Sequence, residues 1–150
     1  MYREAARIEA TVAALATSSL ASPKDQLIFV DDGSDDQTAD TVLAALDRFA
    51  LPAQVVRLEH NMGKGAAVRA GILEAKGRFV AFVDADLSAG VTEIERCFRF
   101  IEAGGCEVVA STRGAPSSKI LKSQPPLRQV SGQLFNVLLR SLGLTRLADT

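Results

Sequence analysis

Two stretches limit the possible folds of this chain more than any others: Leu27-Ile28-Phe29-Val30 and Phe79-Val80-Ala81-Phe82-Val83. Each is an unbroken apolar run, and each ends directly on aspartates, Asp31-Asp32 and Asp84-Ala85-Asp86. A strand with one wet face alternates polar and apolar residues, whereas an unbroken run suits a strand covered on both faces of a parallel sheet. Ala53 to Leu58, centred on Val55-Val56, and Cys106 to Ala110 are two further strand candidates.

Helical patterns separate them. Arg3 to about Leu20 carries Ile8, Val12 and Leu15 on one stripe, with alanine filling most other positions. Ser34 with Gln37, and Thr92 with Glu95, have the spacing of capping boxes. They open helices reaching to about Phe49 and Glu102. A third helix follows Gly65 and ends near Lys76-Gly77; a last one carries Leu127, Val130, Leu134, Val137 and Leu138. The polar stretch from Arg113 to Pro126 reads as a loop. Strand-helix alternation predicts an α/β fold, a mostly parallel sheet with helices on both faces, within one domain spanning residues 1–150.

Composition excludes several classes. A net charge of −1 gives no basic footprint, so no nucleic-acid partner is expected. No stretch approaches the ~18 apolar residues of a membrane span, and the charged start Met1-Tyr2-Arg3-Glu4 is not followed by a signal-like apolar run. Any membrane contact within these residues is therefore expected to be peripheral. Cys97 shares a helical face with Ile94, Phe98 and Ile101, and reads as a small core residue in a reducing compartment.

In parallel sheets, ligands bind beyond the carboxyl ends of the strands. The polar clusters fall there. Asp84 and Asp86, at i and i+2 past a buried strand, repel each other, and a divalent cation relieves that repulsion. Mg²⁺ takes one or two carboxylates and completes its shell with water and substrate phosphates, which suits a diphosphate leaving group. The alternative is that they merely open a loop. Capping and turn chemistry explain Gly33, Ser34, Asp35 and Gln37, but leave Asp31 and Asp32 over; Asp32 is the candidate for binding a base or ribose. Asn61-Met62-Gly63-Lys64-Gly65 opens a helix whose N-terminus attracts phosphate, with Lys64 adding charge. This is neither a Walker A loop nor a complete G-x-G-x-x-G, since Val68 stands at the third glycine. Arg113 and Arg128 are candidate bidentate phosphate ligands. His60 reads as loop polarity.

Together these words resemble family 2 glycosyltransferases of the GT-A type, in the dolichyl-phosphate β-glucosyltransferase and dolichyl-phosphate mannose synthase branch. The words are Val30-Asp31-Asp32-Gly33-Ser34-Asp35-Asp36-Gln37-Thr38, Asn61-Met62-Gly63-Lys64-Gly65-Ala66-Ala67-Val68-Arg69-Ala70-Gly71 and Phe82-Val83-Asp84-Ala85-Asp86-Leu87-Ser88. Ser111-Thr112-Arg113, Arg128 with Phe135-Asn136, and Ala148-Asp149-Thr150 continue the likeness.

The resemblance implies a Rossmann-like GT-A nucleotide-diphospho-sugar transferase fold. It implies transfer of a hexose from UDP-glucose or GDP-mannose to a polyprenyl or dolichyl phosphate, with inversion and with Mg²⁺ or Mn²⁺. It places Tyr2, Glu4, Val30, Asp32, Lys64, Gly65, Asp84 and Ala85 around the nucleotide sugar. Asp84 and Asp86 hold the metal, and Asp86, Arg113 and Arg128 serve the reaction, which is expected at the cytoplasmic face of a membrane.

Departures accompany the likeness. The family's opening strand is not seen ahead of Tyr2, the C-G-F-K element is not reached, Gly90 replaces a usual proline, and Ala110 replaces a usual glycine. An isolated 150-residue product is accordingly expected to be unstable or inactive. Three rival readings stay open at this point. A HAD-type phosphotransferase would use Asp84 as nucleophile, a Rossmann-like module would bind a dinucleotide, and a non-catalytic fragment would do neither.

Overall fold

The computed structural model describes residues 1–111. The chain divides after Glu107, and the unit Met1–Glu107 is the one that carries the elements below. These are α1 (Ile8–Ala16), a short 3-10 turn (Ser19–Ala21), β1 (Ile28–Asp31), α2 (Thr38–Arg48), β2 (Gln54–Arg57), α3 (Lys64–Glu74) and α4 (Val91–Glu102). β1 and β2 are parallel, with Ile28 opposite Gln54 and Asp31 opposite Arg57. The crossover between them is α2, as the alternating pattern predicts.

Successive side chains of β1 point to opposite faces, and this sorts the helices. Phe29 joins Ile8, Val12 and Leu15 of α1 and Val42, Ala45 and Leu46 of α2 in one apolar cluster. Ile8, Val12 and Val42 are fully buried there, each contributing about 1.5–3 kcal/mol of burial. Val30 faces the other way and meets α3 at Gly71, where an added Cβ would lie 3.1 Å from Val30 Cγ2. Helices thus cover both faces of β1. Gly71→Val is expected to cost about 1–3 kcal/mol by overpacking, read as a shift of the urea midpoint; an unchanged midpoint would show that α3 does not press on the sheet there.

Met1 occupies the remaining edge of β1. Its amino group donates to Val30 O (2.8 Å), and Asp32 N donates to Met1 O (2.8 Å).

Several expectations are corrected. Residues 79–83 form no strand, and Val80, Phe82 and Val83 stay about half exposed, at 52, 63 and 45 %. Nor do residues 106–110 form a strand. An apolar run becomes a strand only where a neighbour supplies ladder hydrogen bonds, and the sheet of the described residues has two strands, β1 and β2.

The first helix is shorter than its pattern, because Arg3 has a positive φ (52°) and Glu4 N is held by Thr38 Oγ1 (2.8 Å). Neither capping box forms. α2 begins at Thr38 with Gln37 uncapped by any side chain; instead Asp36 Oδ1 accepts from Thr38 N (3.0 Å). α4 begins at Val91 behind Gly90, while Glu95 accepts a hydrogen bond from Ser19 Oγ. Ile94 is buried on α4 and Cys97 half-buried. Burial pushes the Cys97 thiol pKa up, as expected of a packing residue. The last helix, Arg113 and Arg128 lie outside the described residues.

Candidate nucleotide-sugar site

The carboxyl end of β1 delivers Asp31 and Asp32, and both are buried, at 0 and 4 % exposure. Asp31 Oδ1 accepts from Ser34 N (3.3 Å) and from Ser34 Oγ. Its other oxygen lies 3.5 Å from Arg57 Nε. This is an ion pair without hydrogen-bond geometry, so Oδ2 keeps no hydrogen-bond partner among the described residues. Asp31 is therefore structural: it ties the turn to the strand end. The i, i+3 spacing of Asp31 and Ser34 is the sequence signal that could have shown it.

Asp32 holds a second loop. Its Oδ1 accepts from Met62 N (2.8 Å) and its Oδ2 from Gly63 N (2.9 Å). Gly33 makes this approach possible. It has φ +62°, and an added Cβ would lie 2.2 Å from His60 C and 2.6 Å from Asn61 N. The loops after β1 and β2 are thus locked together, an arrangement that the two motifs read separately do not reveal.

The amino-terminal segment is stitched to the same place. Arg3 N donates to Ser34 Oγ (3.0 Å) and Glu4 N to Thr38 Oγ1 (2.8 Å). Tyr2 and Glu4 thereby sit beside the β1 end. The Arg3 guanidinium also pairs in bidentate fashion with Asp35. Through that hydrogen bond Arg3 holds the Asp35 carboxyl below its ordinary value. The depressed value means that the pair's contribution is complete above the unfolded pKa, about 3.9, and is lost as pH falls through the lower folded value. Arg3→Ala is expected to return the Asp35 midpoint to the ordinary carboxylate value, measured by carboxyl-carbon NMR titration. An unmoved midpoint would remove Arg3 as the cause.

Val30 is partly spent on packing against Gly71. Gly65, by contrast, has no need within the described protein to be glycine, since an added Cβ meets nothing within 4 Å. Among the described residues α3 begins with no side-chain cap, and Ala66 N is already turned to Gly63 O (3.0 Å), so the Lys64 and Gly65 N–H groups are the ones open to an anion. Lys64, its first residue, extends to Asp84, with Nζ 2.7 Å from Oδ1. Both side chains are more than 60 % exposed, and such pairs are worth roughly 0–1 kcal/mol. The pair therefore reports proximity rather than stability: it brings the α3 N-terminus to the acidic loop.

Within that loop, Asp86 Oδ1 accepts from Ser88 N (3.0 Å) and Ser88 Oγ (2.7 Å). Ala85 packs inward against the core cluster, and its carbonyl accepts a hydrogen bond from Thr11 Oγ1 of α1. The main chain is moored while the Asp84 and Asp86 side chains stay exposed. Among the described residues no cluster of three or more His, Cys, Asp or Glu is placed to hold a metal. Two exposed carboxylates fit a hard cation that takes its other ligands from phosphate and water; they do not fit an all-protein cage.

One feature lies apart from this edge. An apolar depression lined by Leu43, Leu46, Leu51 and Pro52 sits at the end of α2 and the start of β2, the opposite end of the strands. Among the described residues no helix is long and apolar enough to cross a membrane.

Residues 1–146 match the profile described as Glycosyl transferase family 2. A dolichyl-phosphate beta-glucosyltransferase of Trichomonas vaginalis is 32% identical over 162 residues, covering 99% of this chain and 47% of the relative. One from Dictyostelium discoideum is 29% identical, covering 83% of this chain and 40% of the relative. An undecaprenyl-phosphate 4-deoxy-4-formamido-L-arabinose transferase of Pseudomonas savastanoi is 39% identical over 88 residues, covering 59% of this chain and 26% of the relative. The chain spans about half the length, or less, of these curated relatives. No solved structure gives a significant match.

Proposed function

Since the chain belongs to glycosyl transferase family 2, we propose that it moves a hexose from UDP-glucose or GDP-mannose to a polyprenyl phosphate of the dolichyl type, with inversion. Family membership removes the phosphotransferase and dinucleotide-binding readings. The observation that carries the proposal is the meeting of Lys64, at the open N-terminus of α3, with the exposed Asp84-Ala85-Asp86 loop. A cationic group, helix-start N–H donors and the Asp84 carboxylate lie together, with Asp86 two residues on in the same loop, which suits a diphosphate accompanied by a divalent cation.

Asp84 and Asp86 would hold Mg²⁺ or Mn²⁺. When bound, the ion neutralises charge on the departing diphosphate. The free N–H groups of α3 and the Lys64 ammonium orient that diphosphate. Tyr2 and Glu4, held against Ser34 and Thr38, flank the nucleotide. The acceptor phosphate is already ionised at pH 7, so its oxygen attacks the anomeric carbon without a dedicated protein base. One C–O bond forms as the bond to the nucleoside diphosphate breaks on the opposite side, and the configuration inverts. Arg113 and Arg128 are proposed to hold the diphosphate or the acceptor phosphate. A lipid acceptor places the reaction at a membrane face, the cytoplasmic one in this reading, through peripheral contact.

The test is sugar transfer from labelled UDP-glucose and GDP-mannose to polyprenyl phosphate in detergent, with Mg²⁺ or Mn²⁺ and with chelator. One donor is expected to label the lipid, and chelation to abolish the label. No labelled lipid from either donor under any metal condition would refute the proposal.

A further inference from the structure

We propose that Thr11 of α1 is a positioning residue that holds the Ala85–Asp86 peptide in one orientation, and so sets how the Asp84 and Asp86 carboxylates stand to each other; this rests on the nucleotide-sugar reading above. Thr11 lies on the buried face of α1 with Ile8 and Leu15 and is 7 % exposed. A hydroxyl buried among apolar side chains needs a partner. A mid-helix threonine commonly turns back to the carbonyl four residues before it. Thr11 Oγ1 instead crosses to Ala85 O, 74 residues away in sequence.

That carbonyl sits in the middle of a turn. Leu87 N donates to Asp84 O (3.0 Å), with Ala85 and Asp86 between them. The bond that closes a β-turn leaves its central peptide unheld, and rotation of that peptide is what separates type I from type II. Rotation would carry Asp86 to a positive φ, which in the structure it does not have, and would re-aim its side chain relative to Asp84. Aspartate tolerates that conformation, so residue type alone does not decide between the two. Packing of Ala85 and Leu87 against the core cluster fixes where the turn sits. The Thr11 hydroxyl fixes which way its central peptide faces.

Thr11→Val keeps the shape of the side chain and removes the donor, whereas Thr11→Ser keeps the donor. The measurement is the affinity of the full chain for UDP and for GDP, in chelator and in Mg²⁺. Mg²⁺ is expected to tighten binding of one nucleotide to the wild type. Thr11→Val should cut that gain about tenfold and leave the affinity in chelator unchanged. It should also shift the amide-to-Hα coupling of Asp86, which reports φ. Thr11→Ser should restore both. Survival of either the gain or the coupling in Thr11→Val would overturn the proposal. So would equal losses with and without Mg²⁺, the mark of a loosened fold, or a serine variant that behaves like the valine one.

The wild type decides if Thr11→Val does not fold. Its Asp86 coupling is expected to stay in the negative-φ range when Mg²⁺ and nucleotide bind. Movement to the positive-φ range would mean that the peptide rotates with the hydroxyl in place, and would overturn the proposal. If Mg²⁺ brings the wild type no gain with either nucleotide, the functional reading fails and the proposal with it. A gain untouched by Thr11→Val sinks the proposal alone.

Discussion

Replacing Gly33 with alanine is expected to cost roughly 4 kcal/mol of folding stability. Two effects combine. A non-glycine residue at φ +62° costs about 1–2 kcal/mol of backbone strain. The new Cβ, at 2.2 Å from His60 C and 2.5 Å from His60 Cα, meets backbone rather than a pliable side-chain tip. The His60–Asn61 segment must therefore retreat, stripping Asp32 of its two amide donors and leaving a buried carboxylate short of partners, about 1–3 kcal/mol more. Gly63→Ala separates the two effects. Gly63 has φ +89° but nothing within 4 Å of an added Cβ, so only the strain applies. Urea melts of both variants decide the matter: if Gly33→Ala lies within about 1 kcal/mol of Gly63→Ala, the loops are not locked as described.

The second large effect is on chemistry. Asp86→Asn is expected to lower kcat by about 10²–10³-fold, with binding of Mn²⁺ weakened in step. The asparagine oxygen keeps an acceptor for Ser88 N and Oγ, which Asp86 Oδ1 now serves, so the loop persists while its charge is removed. Melting midpoints of the variant and the parent show whether a loss of activity is one of fold or of chemistry. A kinetic experiment with paired melts checks both halves. Full activity with unaltered Mn²⁺ affinity would end the metal-ligand role for Asp86.

Local patterns carried the sequence reading as far as local physics decides structure. β1, β2 and the helices α2, α3 and α4 are legible because apolar runs, cap-type spacings and the Asn61–Gly65 turn are properties of short windows. The runs at 79–83 and 106–110 look like strands by the same criterion. A ladder, however, depends on a distant neighbour that no short window encodes. Ser34 and Gln37 have capping-box spacing, but Asp31 captures the Ser34 hydroxyl, and Asp36 serves Thr38 in its place. Capture by a residue on the preceding strand is a tertiary event.

The site divides in the same way. Lys64 meets Asp84, and Asp86 lies two residues further along the same loop. Asp31 and Asp32 were left over once capping had been considered, and so were available for a ligand in the sequence reading. In the structure they also meet backbone amides, a hydroxyl and a guanidinium. A lone sequence shows that a carboxylate is present; it does not show which unpaired amide lies within its reach.

The hydroxyl of Thr11 on the Ala85 carbonyl separates shape from reactivity at the acidic loop. The peptide between the two aspartates is secured from beneath by a helix rooted in the core, so its main chain has an anchor besides the carboxylates. That anchor leaves the backbone of the loop tied to the core whatever its carboxylates bind.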